Sequence, residues 1–213
     1  MSDALNLLVG IAIGLNLLAL ASSRLPAVIG AAAVQGMVLG VLPLLLEHQF
    51  NWLVSLVAVG TVAVKGFVIP GLLRRALRAA NIDREVQPLL GYIPSLLLGA
   101  AATISAVALA GALPLRPEHA RSLLVPGSFA TVVCGFLMLM CRAKAIAQVC
   151  GYLILENGVY LFGMLLINST PLVVEAGILL DLTVAVFVIG IIVDRIQREF
   201  DTLDTRKLTV LRE

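Results

Sequence analysis

Four ionisable side chains lie within long apolar stretches of this sequence, where a charge is costly. They are Lys65, Glu156, Glu175 and Asp181. On membrane-insertion scales, a charged residue at the centre of a spanning helix costs about 2.5–3.5 kcal/mol, so such a residue normally has a partner or a function. A low dielectric favours the protonated form of a carboxyl group, whereas a nearby ammonium favours the carboxylate. A carboxyl beside an ammonium can therefore take up and release a proton, which is the chemistry of a proton relay.

The depth of these residues in the bilayer follows from their positions along the helices that must carry them. At a rise of about 1.5 Å per residue, Glu156 lies about 16 Å, and Asp181 about 18 Å, from the cytoplasmic end of its segment. Lys65 lies about 12 Å from the same face and is nearly level with both carboxyls. Glu175 follows Pro171 by four residues and is expected near the outer interface. The sequence therefore predicts that Glu156, Asp181 and Lys65 belong to a proton pathway and that Glu175 is a weaker member.

Two interpretations of these buried charges remain open. In the first, they carry protons, and Pro70 kinks the helix of Lys65 and admits water. In the second, they form a buried ion pair that fixes the packing of the helices and moves no proton. Gln35, near the middle of another apolar segment, is a further weak candidate for the pathway. Its side chain could join a chain of water molecules or hydrogen-bond across helices.

Seven apolar segments must position these side chains. A spanning helix needs about 20 mostly apolar residues, and such segments occur at residues 4–22, 26–46, 51–73, 89–115, 123–140, 145–167 and 171–193. The predicted fold is all-α, a multi-pass membrane protein of about seven transmembrane helices. We expect three regions: a four-helix membrane region at residues 1–121, a three-helix membrane region at 122–193, and a cytoplasmic docking tail at 194–213.

The distribution of basic residues predicts the orientation of these helices. Cytoplasmic loops of membrane proteins carry an excess of lysine and arginine. With the N-terminus outside, the cytoplasmic connections and the tail hold 12 of the 15 basic residues, the outer loops hold two, and the remaining one is Lys65. The sequence therefore predicts an outer N-terminus and a cytoplasmic C-terminus. The first segment lacks a positive flank before it and is expected to be a retained helix, not a signal peptide.

The composition of the chain excludes several classes of protein. Of the 213 residues, 60% are hydrophobic and 13% are charged, whereas soluble domains carry about 25% charged residues. The mean hydropathy is +1.04. Such a chain cannot cover a globule with polar groups, which excludes a soluble enzyme, a nucleic-acid binder and a disordered protein. Its three cysteines, Cys134, Cys141 and Cys150, lack CxxC spacing and are expected to be buried as small apolar residues.

Four stretches of the chain resemble a known family. The sequence GYLILENG, which begins at Gly151, and the later VVEAGILLDLTVAVFVIGIIV and TLDTRKLTVL are similar to the HyfE-type membrane subunit of group 4 NiFe hydrogenases, such as formate hydrogenlyase. The stretch VAVKGFVIPGLLRRALR around Lys65 resembles the lysine-bearing helix of that subunit. Residues 122–193 also resemble NuoK of complex I and MrpC of multisubunit antiporters. In the NuoK family two mid-membrane glutamates lie on the proton pathway; Glu156 matches the first, and either Asp181 or Glu175 matches the second.

The resemblance implies a subunit with no active site of its own, in the membrane arm of a hydrogenase complex. Its partners would be antiporter-like and quinone-module-like membrane subunits and a peripheral hydrogenase arm. That arm would hold the NiFe centre and iron–sulfur clusters, and this chain would bind no cofactor, metal or nucleic acid. The expected location is the cytoplasmic (inner) membrane of a bacterium or archaeon. Two alternatives remain open: a subunit of a multisubunit cation/proton antiporter, and a purely structural subunit that assembles the membrane arm.

Overall fold

The computed structural model describes residues 2–46, 52–79, 84–85, 88–113 and 122–165. Within these ranges the chain forms eight α-helices: α1 (Ser2–Ala21), α2 (Leu25–Gly40), α3 (Leu42–Leu46), α4 (Trp52–Ala63), α5 (Ile69–Ala79), α6 (Tyr92–Ala112), α7 (Leu124–Cys141) and α8 (Ala145–Met164). A π-helical turn, Val64–Val68, joins α4 to α5. The described residues contain no β-strand, and their only β pairing is an isolated bridge between Arg24 and Arg84.

Five helical stretches of the described chain are long and apolar enough to cross a membrane. They are Asp3–Ala21, Leu25–Leu45, Tyr92–Ala112, Leu124–Cys141 and Ala145–Met164, and they coincide with the first, second, fourth, fifth and sixth predicted segments. The described part of the chain is therefore all-helical, and the protein is a multi-pass membrane protein. The seventh segment (171–193) and the tail (194–213) lie outside the described residues, so the count of seven helices, the division into three regions and the orientation stay predictions.

The second segment differs from the sequence prediction by a break at Val41. Pro43 has no N–H to donate to the Leu39 carbonyl, and its ring crowds that carbonyl, so a regular helix cannot continue through it. Helix α2 consequently ends at Gly40, and the Val41 N–H turns to the Leu39 carbonyl. The Leu44 N–H then donates to the Val41 carbonyl at 3.1 Å, which begins the short helix α3.

The third segment is helical from Trp52 to Ala79, and its π turn carries Lys65. The Ile69 N–H donates to the Val64 carbonyl, five residues back instead of four. Pro70 follows directly and cannot donate to the Gly66 carbonyl. Helices in membranes accommodate such a proline by local π adjustments that satisfy the freed backbone groups. The irregularity predicted at Pro70 thus takes the form of a π turn at Lys65.

Helices α7 and α8 form a closely packed antiparallel hairpin. At Gly135 an added Cβ would overlap the Leu155 backbone nitrogen, and at Gly158 it would lie 2.6 Å from the Val132 backbone nitrogen. Only glycine fits at two such contacts, because the neighbouring atoms belong to the backbone and cannot rotate aside. Small residues allow this close approach, which increases the van der Waals contact between membrane helices.

Buried apolar side chains form two separate clusters in the bundle made by α1, α2, α7, α8 and the third segment. One lies toward the end of the bundle where α1 ends and α8 begins, and includes Ala19, Leu25, Ile69, Met138 and Ile154. The other lies toward the opposite end and includes Leu5, Val9, Leu39, Leu124 and Leu161. The three cysteines are buried free thiols, as predicted. Buried polar side chains lie between the two clusters, and these form the candidate site.

Candidate functional site

Lys65 and Glu156 form an ion pair in the apolar interior of the bundle. Lys65 Nζ lies 2.8 Å from Glu156 Oε1, and the two side chains are only 6% and 2% exposed. The lysine is placed by the π turn of the third segment, and the glutamate by the middle of α8. The structure therefore brings together two of the three residues that the sequence placed at the same depth. Their role in proton transfer stays a prediction.

Two further groups among the described contacts of Lys65 present partial negative charge to its ammonium. Its Nζ donates a hydrogen bond of 3.1 Å to Asn157 Oδ1 and lies 5.4 Å from the centre of the Tyr160 ring. Burial of two charges is compensated only when additional hydrogen bonds satisfy the ions, and the face of an aromatic ring attracts a cation. A carboxylate, an amide oxygen and a ring face thus surround the Lys65 ammonium and stabilise its charged form.

A chain of side-chain hydrogen bonds extends from Asn157 across the bundle. Asn157 Nδ2 donates to Gln35 Oε1 at 3.2 Å, and Gln35 Nε2 donates to Asn16 Oδ1 at 2.7 Å. Asn16 Nδ2 then donates to Thr131 Oγ1 at 2.9 Å. Gln35 Nε2 also donates to the backbone carbonyl of Ala12 at 3.1 Å. Together with Lys65 and Glu156, these side chains form what we call the polar layer: Asn16, Gln35, Lys65, Thr131, Glu156 and Asn157.

The hydrogen bonds of the polar layer all run in one direction. Lys65 donates to Asn157, and each amide in turn donates to the next side chain, so the series ends at the Thr131 hydroxyl. In each of these three amides, the oxygen therefore accepts from the neighbour nearer to Lys65, and the nitrogen donates to the neighbour farther from it. Aligned hydrogen bonds polarise one another and gain strength in a low dielectric. This alignment makes the electrostatic potential at Lys65 more negative and strengthens the hydrogen bond from the ammonium to Asn157.

The sequence pointed to Gln35 but not to three other members of the polar layer: Asn16, Thr131 and Asn157. Asn16 and Asn157 carry a detectable signal, because a carboxamide inside an apolar helix needs a hydrogen-bond partner in the membrane. Thr131 carries none, since a threonine hydroxyl can bond to a carbonyl of its own helix. Asp181 and Glu175 lie outside the described residues, so their assignment to the pathway also stays a prediction.

A second buried charged group lies at one end of the bundle, where α7 turns into α8. Glu85 Oε1 accepts hydrogen bonds from the backbone N–H groups of Ala143 and Lys144, at 2.7 Å and 2.9 Å. These groups precede the first turn of α8, where a carboxylate stabilises unpaired N–H groups and the helix dipole. Glu85 thereby ties the loop before α6 to the turn between α7 and α8.

Arg142 completes this second group. Its Nε lies 3.7 Å from Glu85 Oε2, and its Nη2 donates to the Leu20 carbonyl in the last turn of α1. Its guanidinium carbon lies 4.5 Å from the centre of the Tyr92 ring. Arg142 is one of the basic residues from which the orientation of the helices was predicted, yet it is 1% exposed and joins the ends of three helices. Its sequence position in a short turn between two apolar segments gives no sign of this burial.

Comparison with known proteins identifies relatives of the chain. The protein named Uncharacterized protein Rv0085, from Mycobacterium tuberculosis, is 36% identical over 192 residues, which cover 89% of this chain and 87% of that protein. Residues 123–213 match the family described as NADH-ubiquinone/plastoquinone oxidoreductase chain 4L. Hydrogenase-4 component E of Escherichia coli and of Shigella flexneri is 36% identical over 78 residues, which cover 37% of this chain and 36% of that component. No solved structure matches the chain.

The chain belongs to the family of this mycobacterial protein, among the complex-I-like membrane subunits. The chain 4L match contains Thr131, Glu156 and Asn157 of this complex-I-like subunit, and also the predicted carboxylates Asp181 and Glu175. Asn16, Gln35 and Lys65 precede the matched region. The polar layer therefore combines the acidic residue of the chain 4L-like region with a cation and two amides supplied by the preceding helices.

Proposed function

We propose that this complex-I-like subunit belongs to a group 4 NiFe hydrogenase complex of the formate hydrogenlyase type, and that Lys65 and Glu156 serve its proton pathway. One observation carries the proposal: a lysine and a glutamate form an ion pair 2.8 Å long within a polar layer between two apolar clusters. Ionisable residues inside membrane proteins typically mark ion pathways and proton relays. The proposal assigns the chain no active site of its own.

In this proposal Glu156 exchanges the proton and Lys65 remains charged. Uptake of one proton converts the Glu156 carboxylate to a carboxylic acid and leaves the Lys65 ammonium held by Asn157 and Tyr160. The uncompensated ammonium then favours loss of the proton, because a nearby positive charge favours the carboxylate. The proton would pass to a second carboxylate on the following segment, either Asp181 or Glu175.

The partners in this proposal follow from the relatives. The match to hydrogenase-4 component E supports a hydrogenase complex, although it covers only 36% of that component. The proposed partners are antiporter-like and quinone-module-like membrane subunits and a peripheral arm that holds the NiFe centre and the iron–sulfur clusters. The proposed location is the cytoplasmic membrane. The residues 194–213 would dock on a neighbouring subunit at the cytoplasmic face.

The test is proton translocation by inverted membrane vesicles that contain the intact complex. Glu156→Gln keeps the size of the side chain and removes the exchangeable proton, so translocation per electron transferred is expected to fall to background while the complex remains assembled. Asp3→Asn makes the same chemical change at the exposed start of α1 and should leave translocation unchanged. Assembly is checked by native gel electrophoresis of each variant. Full translocation in an assembled Glu156→Gln complex would contradict the proposal.

A further inference from the structure

We infer that Gln35 is a positioning residue, which holds the Lys65 ammonium against Glu156 by determining which end of the Asn157 amide faces the lysine. Gln35 has no hydrogen bond to Lys65 among the described contacts and acts through Asn157 alone. The importance of this role for translocation rests on the proposed function, whereas the positioning itself does not.

The orientation of the Asn157 amide decides whether Lys65 has an acceptor. In the observed orientation, Oδ1 faces Lys65 Nζ at 3.1 Å and Nδ2 faces Gln35. A rotation of the amide by half a turn has nearly the same shape, but it would direct an NH₂ group at the ammonium. Lys65 would then lose an acceptor and face a second donor. Because Asn157 is 2% exposed, water has little access to replace the lost bond.

A backbone carbonyl fixes this orientation from the far side. The Ala12 carbonyl can only accept a hydrogen bond, and Gln35 Nε2 donates to it at 3.1 Å. With Nε2 held there, Gln35 Oε1 must face Asn157, where it accepts from Nδ2 at 3.2 Å. The direction of donation, from Lys65 through Asn157 to Gln35, is therefore set by a carbonyl oxygen that cannot become a donor. Gln35 is 1% exposed and transmits this direction from α1 to α8.

Asn16 and Thr131 follow Gln35 in the series of hydrogen bonds and are not needed to fix the orientation of the Asn157 amide. If Asn16 is replaced, the Ala12 carbonyl still accepts from Gln35 Nε2. If Thr131 is replaced, Asn16 loses an acceptor, but Gln35 keeps both of its own. The inference therefore distinguishes Gln35 from two other members of the same polar layer. A general requirement for a polar interior would make no such distinction.

The experiment measures how readily Glu156 reacts with dicyclohexylcarbodiimide in native membranes that contain the intact complex. This lipid-soluble reagent adds to a carboxylic acid and not to a carboxylate, so a Glu156 that is paired with Lys65 as its carboxylate is protected. Labelling is quantified by mass spectrometry of the peptide that contains Glu156. Lys65→Met removes the cation and provides the reference for full loss of protection.

We expect Gln35→Met to increase the labelling rate by about tenfold, the size expected for loss of one hydrogen bond to a charged group. Asn157→Leu removes the acceptor directly and should give an increase at least as large, which keeps the inference testable if Gln35→Met does not assemble. Asn16→Leu and Thr131→Val remove only the hydrogen bonds farther from Lys65 and should raise the labelling rate far less than Gln35→Met does. Equal labelling of the Gln35→Met and Thr131→Val variants would overturn the inference, and so would unchanged labelling of Asn157→Leu. Because labelling needs no translocation, the inference can hold even if Glu156→Gln translocates protons normally and the proposed function fails.

Discussion

Gly36 of α2 lies directly against Lys65, and a Cβ added at Gly36 would lie 2.7 Å from the Lys65 Cβ. This atom is the first of the lysine side chain, so it cannot move without displacing the π turn that carries it. The absence of a side chain at position 36 thus allows the third segment to approach α2 closely enough for Lys65 to reach Glu156.

Gly36→Ala is expected to weaken the ion pair by displacing the π turn. Overpacking of a close helix contact typically costs about 1–3 kcal/mol of the free energy of unfolding. Gly30→Ala is the matched control on the same helix, because an added Cβ there meets no atom within 4 Å, and alanine favours a helix over glycine. The measurement is the detergent-induced unfolding midpoint of the purified protein. A Gly36→Ala protein as stable as Gly30→Ala would contradict the expected contact.

The buried ion pair predicts that replacing Lys65 alone destabilises the protein more than replacing Lys65 and Glu156 together. Lys65→Met leaves the Glu156 charge buried without its cation, and removal of one partner of a buried pair typically costs about 3–5 kcal/mol. Replacement of both residues by methionine removes both charges, and we expect the double variant to regain most of this stability. The same unfolding assay checks the prediction. If the losses of stability in Lys65→Met and Glu156→Met simply added in the double variant, the ion pair would not be the reason for the loss.

Glu85 is expected to stabilise the helix ends around the turn between α7 and α8. Glu85→Ala removes the acceptor of the Ala143 and Lys144 N–H groups and leaves Arg142 buried without a carboxylate. Loss of one partner of such a buried pair costs about 3–5 kcal/mol, which a fall in melting temperature would report. Arg84→Ala changes the exposed neighbour of Glu85 and should have little effect. Equal melting temperatures for both variants would exclude the proposed link.

The contact between α7 and α8 predicts that one methyl group added at Gly135 lowers the stability of the protein. Gly135→Ala would bring a Cβ into overlap with the Leu155 backbone nitrogen, so the two helices must separate. Gly14→Ala in α1 meets no atom within 4 Å and is the control. We expect the melting temperature to fall only for Gly135→Ala, by an amount that corresponds to about 1–3 kcal/mol. A loss of stability in both variants would indicate an effect unrelated to this contact.

The positions of the helices could be predicted from the sequence because burial in a bilayer demands local properties. A spanning helix satisfies its own backbone hydrogen bonds, so about 20 apolar residues suffice to specify it. The predicted segments accordingly coincide with all five helical stretches of sufficient length and apolarity in the described chain. The break at Val41 and the π turn at Lys65 follow from Pro43 and Pro70, but their geometry depends on how the freed carbonyls are accommodated.

The second charged group shows the opposite case. Glu85 and Arg142 come from two connections far apart in the chain, and their sequence surroundings resemble those of ordinary basic loops. Their burial depends on the ends of α1, α7 and α8 meeting at one place, with the Leu20 carbonyl and the Tyr92 ring as additional partners. No local pattern encodes such a meeting.

The sequence by itself determined that the chain spans a membrane, and it predicted that Lys65 and Glu156 lie deep within it, because the cost of burying a charge depends on the residue type and its depth. Tertiary structure alone decided that the two side chains form an ion pair and that a one-way chain of amides supports it. That chain joins side chains from four helices and the third segment, and its direction is fixed by the Ala12 carbonyl. Every residue carries a backbone carbonyl, so only the packing of α1 against α2 could select that of Ala12 as the acceptor.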